Sequence, residues 1–177
     1  MSDDIDYRIF YDDETYLLDV GQRFRESGTL DPVDFYMMLA WKANRAKNYH
    51  RERLKRLSKS SFEYAVSQIA AELHGCSGLR EKLEILMVAW EFALPTATAV
   101  LTLLYPDDFT VYDVLVCGEL QWDYHPDRYF SAKLWSDYQA YKQAVIKAAP
   151  SDLSLRDKDR YLIGRAYRKA VETDCRG

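Results

Sequence analysis

"LPTATAVLTLLYPDDFTVYDVLV", residues 94–116, decides how the rest of the chain is read. Pro95 suits the first turn of a helix, where a missing N–H costs nothing. Ala97, Val100, Leu101 and Leu104 then recur at i, i+3, i+4 and i+7, the apolar stripe of a helix. Pro106 stops that helix, and Asp107-Asp108 reads as turn chemistry rather than a metal pair. "FTVY" is short and extended in character, and Asp113 stands where an N-cap of the apolar run "VLVCGELQW" would stand. The stretch leaves one question: whether Asp113 only caps a helix or also presents its carboxylate to a substrate.

Outward from this stretch the punctuation stays helical. Asp31 and Pro32 form an N-cap and first helical position, followed by Phe35, Met38, Leu39 and Lys42 at helical spacing. Ser60 and Glu63 read as a capping box for a helix that Gly75 terminates. Leu79, Leu83, Leu86, Met87 and Trp90 share one face of the next run. Residues 130–149 form a long amphipathic helix with Leu134, Trp135, Tyr138, Tyr141, Val145 and Ile146 on its apolar side. Ser154 and Asp157 box the start of the last helix, and Tyr161 and Tyr167 are expected to pack helices together as Tyr138 and Tyr141 do. Alternating strands, repeats and low-complexity segments are missing, and no Gly/Ser-rich linker divides the chain. The prediction is an all-α fold of about eight helices with short connections. It is one domain over residues 1–177, or a bilobal one, since 177 residues suffice to bury a real core.

Composition excludes several function classes. A chain that is 48% hydrophobic and 29% charged is neither disordered nor fibrous. No apolar run approaches the roughly 20 residues of a membrane span, so no membrane partner is expected. "MSDDIDYRIF" is acidic and lacks the basic-then-apolar order of a secretory signal. Cys76, Cys117 and Cys175 show no C-x-x-C spacing, which fits free thiols in a cytoplasmic protein and rules out a four-cysteine cluster. His50, His74 and His125 are far apart, and neither a P-loop nor a dinucleotide fingerprint occurs, so no metal and no cofactor are expected.

The net charge of −4 conceals an asymmetry. Residues 1–40 hold ten acids and three bases, whereas residues 41–60, "WKANRAKNYHRERLKRLSKS", hold eight bases and one acid. A lysine and arginine cluster releases counterions from a phosphate backbone and so gives salt-sensitive nucleic-acid affinity. Lys42, Arg45, Lys47, Arg51 and Arg53 are the candidate contacts, with Lys42 and Arg45 foremost, and Trp41 and Tyr49 offer stacking surfaces. The competing reading is a solvated face that balances the acidic segment, which could itself recognise a protein partner.

The helix, tight turn, helix, extended linker and Asp-capped helix together resemble the helix-hairpin-helix DNA glycosylase family. That family's hairpin reads "LPGVG..TA" and a later "VD..V" carries the catalytic Asp. Thr96-Ala97 match the end of the first motif, and "VYDVLV" matches the second with Asp113 at the acid, 17 residues after Thr96. The resemblance is specific over residues 83–120, places a hairpin-like element at residues 79–105, and is architectural elsewhere. It implies DNA as partner, with RNA as a second candidate, and monofunctional hydrolysis of the N-glycosidic bond of a damaged or mismatched base. Asp113 would stabilise the cationic sugar or take a proton from water. Tyr112, Trp122, Tyr124 and His125 would line the pocket for an extruded base. Two departures accompany it. Glu91-Phe92-Ala93 stand where the family has Gly-x-Gly, and Pro95 stands where bifunctional members carry a Schiff-base lysine, so lyase chemistry through that residue is not available. A non-enzymatic nucleic-acid binder or a protein-interaction module on the same scaffold stands as the alternative.

Overall fold

A computed structural model describes residues 12–176. Among them are nine α-helices and no strand. The helices gather into two compact units, one ending at Ser77 and the other beginning at Gly78.

The first unit holds α1 (Asp13–Ser27), α2 (Pro32–Ala43), α3 (Lys47–Ser58) and α4 (Phe62–Gly75). Asp12 caps α1 by accepting from the Thr15 amide, and Gly28 ends it in the left-handed region at φ 70° with its N–H on the Phe24 carbonyl. A Cβ on Gly28 would sit 2.9 Å from Nδ1 of His74, so the glycine also makes room for that ring. Asp31 caps α2 through the Val33 amide at 2.7 Å, with Pro32 in the first turn, as the sequence predicts. Ser61, not Ser60, caps α4 by accepting from Tyr64 N at 3.1 Å, which shifts the expected box by one residue. Leu17, Val20 and Phe24 of α1, Phe35, Met38 and Leu39 of α2, Leu54 of α3, and Val66, Ile69 and Leu73 of α4 make the core. Within it α2 touches α1, α3 and α4.

The second unit opens with α5 (Leu79–Glu84), which widens into a π turn over Ile85–Ala89. The expected single helix therefore changes pitch halfway, with the Trp90 amide reaching back five residues to the Ile85 carbonyl. A tight turn leads to α6 (Leu94–Leu104), and α5, the π turn and α6 pack together. Leu94 and every residue from Thr96 to Leu104 are buried. The stripe read from the sequence is thus half of the truth: α6 is covered all round. Its hydroxyls fit because they fold back on the helix, Thr98 onto the Leu94 carbonyl at 2.8 Å and Thr102 onto the Thr98 carbonyl at 2.7 Å.

Then come α7 (Val114–Glu119), α8 (Ala132–Ala148) and α9 (Leu155–Arg176), with α9 against both α7 and α8. Ser154 accepts from the Asp157 amide and donates to its carboxylate, the predicted box. Tyr138 and Tyr141 are buried, but Tyr161 and Tyr167 are exposed and do not join the core as the sequence suggested.

The linker 109–113 carries the functional candidates, and side chains rather than a partner strand satisfy its extended backbone. The Tyr138 hydroxyl donates to the Thr110 carbonyl at 2.8 Å and accepts from the Thr110 amide at 3.1 Å. The Tyr141 hydroxyl donates to the Val111 carbonyl at 2.9 Å, and the Tyr112 amide donates to Thr98 Oγ1 at 3.0 Å. Buried peptide groups need partners, and here two phenols and a threonine supply them. Burial drives both phenol pKa values well up, so both remain protonated donors. Tyr138→Phe leaves both polar groups of Thr110 without this hydroxyl, an expected loss of about 1–3 kcal/mol, read from the urea midpoint. A loss near zero would mean that the linker is held by other means.

Candidate functional site

Two surfaces collect the residues that the sequence singles out, one in each unit. In the second unit a cleft of about 240 Å³ opens between the start of α6, the linker, the loop after α7 and α8. Tyr112, Trp122 and His125 line it. Tyr124 does not line it but stacks on Tyr112, with ring centroids 5.3 Å apart and planes 14° apart. Three of the four expected pocket residues therefore share one cleft, and the fourth backs one of them.

The loop along the cleft is tied down by hydrogen bonds to its backbone. The Tyr112 hydroxyl donates to the Asp123 carbonyl at 3.2 Å and accepts from the His125 amide at 3.1 Å. Burial raises this phenol to about 12, so it stays a donor at neutral pH. The Leu94 amide, first in α6, donates to the Asp127 carbonyl at 2.9 Å. These bonds fix the loop on the linker and on α6.

Asp113 caps α7, its Oδ1 accepting from the Leu115 amide at 2.8 Å. It is half-buried and is not one of the cleft's lining residues. Its charge still reaches Tyr124, whose pKa is raised by burial first and by Asp113 second.

The turn before α6 is formed by residues 90–93, where the family resemblance would place glycines. Glu91 adopts φ 53°, a left-handed conformation that favours glycine, and the Phe92 amide closes back on the Leu86 carbonyl at 3.0 Å. The bend is thus made without a glycine. The helix start beyond it is occupied, however. The Leu94 amide is taken by Asp127, Pro95 has none, and the amides of Thr96 and Ala97 both donate to the Ala93 carbonyl. A phosphate at this helix N-terminus would have to displace those bonds.

Sequence reasoning passed over the cleft's acids. Asp123 and Asp127 stand beside Trp122 and His125 in "WDYHPD", so chain proximity alone could have added them. Asp137, Tyr138, Leu94 and Leu134 arrive from α6 and α8 and carry no local signal. Asp123 meets Nε2 of His125 at 2.8 Å, and Asp137 pairs with Lys133 one turn earlier.

In the first unit, the end of α2, the turn 44–46 and α3 carry the basic block. Arg45 is exposed on the turn, and Lys42 is half-buried in the last turn of α2, where a cation complements the helix dipole. Lys47 donates to Asn44 across the turn. Arg51 lies over the Tyr36 ring at 5.9 Å and Arg53 over the Tyr49 ring at 5.5 Å. Tyr49 is 63% exposed. Glu52 takes Lys55 and Arg51, each at 3.1 Å, and Lys55 foremost holds its carboxyl below the ordinary range. Beneath these groups His50 is buried, its Nδ1 2.9 Å from an Arg53 nitrogen. On the acidic side Asp34 meets Arg23 at 3.5 Å and the Tyr16 hydroxyl at 2.6 Å. Asp3, Asp4 and Asp6 of the acidic segment lie outside the described residues.

Among the described residues no group of three or more His, Cys, Asp or Glu is placed to hold a metal ion, and no helix is long and apolar enough to cross a membrane. The chain matches no protein-family model, and neither a curated protein nor a solved structure is similar to it.

Proposed function

We propose that this chain is a nucleic-acid-binding protein, with DNA the first candidate and RNA the second, and that its contact surface is the end of α2, the turn 44–46 and α3. One observation carries the reading: Lys42 stands in the last turn of α2, Arg45 is exposed on the turn, Lys47 and Arg51 stand one helical turn apart on α3, and Arg53 follows with an exposed Tyr49 beside its guanidinium. Lys47 and Arg51, four residues apart, share one flank of α3 and can meet phosphates, whereas Arg53 and Tyr49 share the opposite flank, where a tyrosine face can stack on a base. Glu52 moderates the field at Arg51 and Lys55, which leaves the turn as the stronger part of the surface. Fluorescence anisotropy with labelled duplex DNA, single-stranded DNA and RNA over a salt series tests this. Log affinity should fall linearly with log salt, and the pair Arg45→Glu and Lys47→Glu should weaken binding about tenfold or more and flatten the slope by about 2. Binding that ignores both salt and these substitutions would end the proposal.

The second reading adds glycosylase chemistry through Asp113. It is favoured by the gathering of Tyr112, Trp122 and His125 at one cleft, with Asp113 the next residue after Tyr112. Two observations weigh against it: the engaged amides at the start of α6 and the three carboxylates that line the cleft. The same oligonucleotides carrying damaged or mismatched bases separate the readings. Abasic sites that accumulate with the parent protein and not with Asp113→Asn would establish hydrolysis. Salt-dependent binding without base release leaves the protein a binder.

A further inference from the structure

The cleft of the second unit fits a different occupant from the polyanion assigned to the first. Its walls combine three aromatic rings, Tyr112, Trp122 and Tyr138, with three carboxylates, Asp123, Asp127 and Asp137. We propose that it binds a small organic cation, an alkylammonium head group seated among the ring faces and balanced by the carboxylates.

Three features carry this. First, aromatic faces bear negative electrostatic potential, and tryptophan and tyrosine walls are what a poorly hydrated ammonium prefers. The Trp122 ring is braced edge-on by Tyr141 at 5.9 Å and Tyr112 is stacked on Tyr124, so both walls are fixed before a ligand arrives. Second, the charge has the right sign. Lys133 pairs with Asp137 and its charge also acts on Asp127, and His125 is bonded to Asp123, so the three lining carboxylates outnumber the one lysine ammonium beside them. A nucleotide would bring its phosphate against the same three acids, whereas a cation is drawn in by them. Third, the volume of about 240 Å³ lies just below the range of drug-sized ligand pockets and suits one compact head group. The ligand could be a free amine or a methylated lysine side chain of a peptide, since both present the same ammonium.

Isothermal titration of the full chain with choline, with its neutral isostere 3,3-dimethylbutanol, with a trimethyllysine peptide and its unmodified form, and with a deoxynucleoside monophosphate tests the proposal. Choline or the trimethyllysine peptide should bind and the neutral isostere should not; which of the two binds tells the source. Asp127→Asn and Trp122→Leu, each checked for an unchanged unfolding midpoint, should weaken binding about five- to tenfold. Equal binding of the isostere would make the cleft a plain apolar slot. Binding of the monophosphate in place of choline would make it a nucleobase pocket, and no binding of either cation would remove the site. Each of these three results overturns the proposal.

Discussion

Asp159→Ala should lower stability by about 3–5 kcal/mol. Asp159 is fully buried and ion-paired with Arg156, itself nearly buried, one turn earlier on α9. It also reaches toward the linker, where the Val111 amide lies 3.4 Å from Oδ2, a long and weak bond. Taking two charges from water is expensive, and their mutual attraction repays it only while both are present. Removing the acid leaves the guanidinium of Arg156 in a place that hydrates it poorly. Asp159→Asn keeps the shape and one acceptor but not the charge, so it should fall between the parent and the alanine variant. The companion Arg156→Met with Asp159→Leu removes both charges and should recover most of the loss, because a buried pair and a packed apolar pair are nearly equivalent. Urea unfolding of the four proteins decides the matter. If the double variant is as unstable as Asp159→Ala, the carboxylate matters through the linker and not through the pair. The cleft should respond too, since Val111 precedes Tyr112 and Asp113 on the same extended backbone.

The elements that local chemistry specifies are the ones legible in the sequence. Asp31 with Pro32, Pro95, Asp113 and Ser154 each act within one helical turn, and each caps or opens its helix where the sequence places it. Ser60 and Ser61 adjoin, and only the path of the chain into α4 chooses between them. The π turn is invisible because its residues keep the same apolar face as the helix before it. Helix α1 has a readable stripe of Leu17, Val20 and Phe24, but the acids around it dominate the reading of that segment. The boundary near Ser77 lies in "GCSG", which reads as a helix stop and not as a division between units. At the cleft, the residues close to Asp113 in the chain are legible, whereas Asp137 and Tyr138 arrive from α8. The linker shows the same limit. "FTVY" looks like a strand because its residues suit an extended backbone, yet its partners are phenols 28 and 30 residues away.

Stability should fall as the pH drops from about 6.5 to about 4, and His50 should account for roughly 2–3 kcal/mol of that fall. Burial, and next the positive charge of Arg53, depress this imidazole from the ordinary 6.5 to about 4. The unfolded chain takes up the proton near 6.5, the folded chain only near 4. The neutral ring's contribution is therefore complete above 6.5 and is lost progressively through that window. The geometry agrees, for a guanidinium nitrogen 2.9 Å from Nδ1 is a donor facing an acceptor, so the proton of the neutral ring sits on Nε2. A second proton would set two donors and two positive charges against each other at that contact. His50→Gln cannot titrate at this position, and its amide oxygen can still accept from Arg53, so its stability should decline by about 2–3 kcal/mol less than the parent's over the same window. Urea unfolding at several pH values from 7 to 4 shows which occurs; a parallel decline in both proteins would place the acid sensitivity elsewhere. The consequence reaches function because His50 lies on the same helix as Lys47, Arg51 and Arg53. Acidification adds positive charge to the basic surface and should strengthen binding if α3 stays in place. If binding weakens instead and His50→Gln restores it, protonation is loosening α3, and the order of that helix is part of the contact surface.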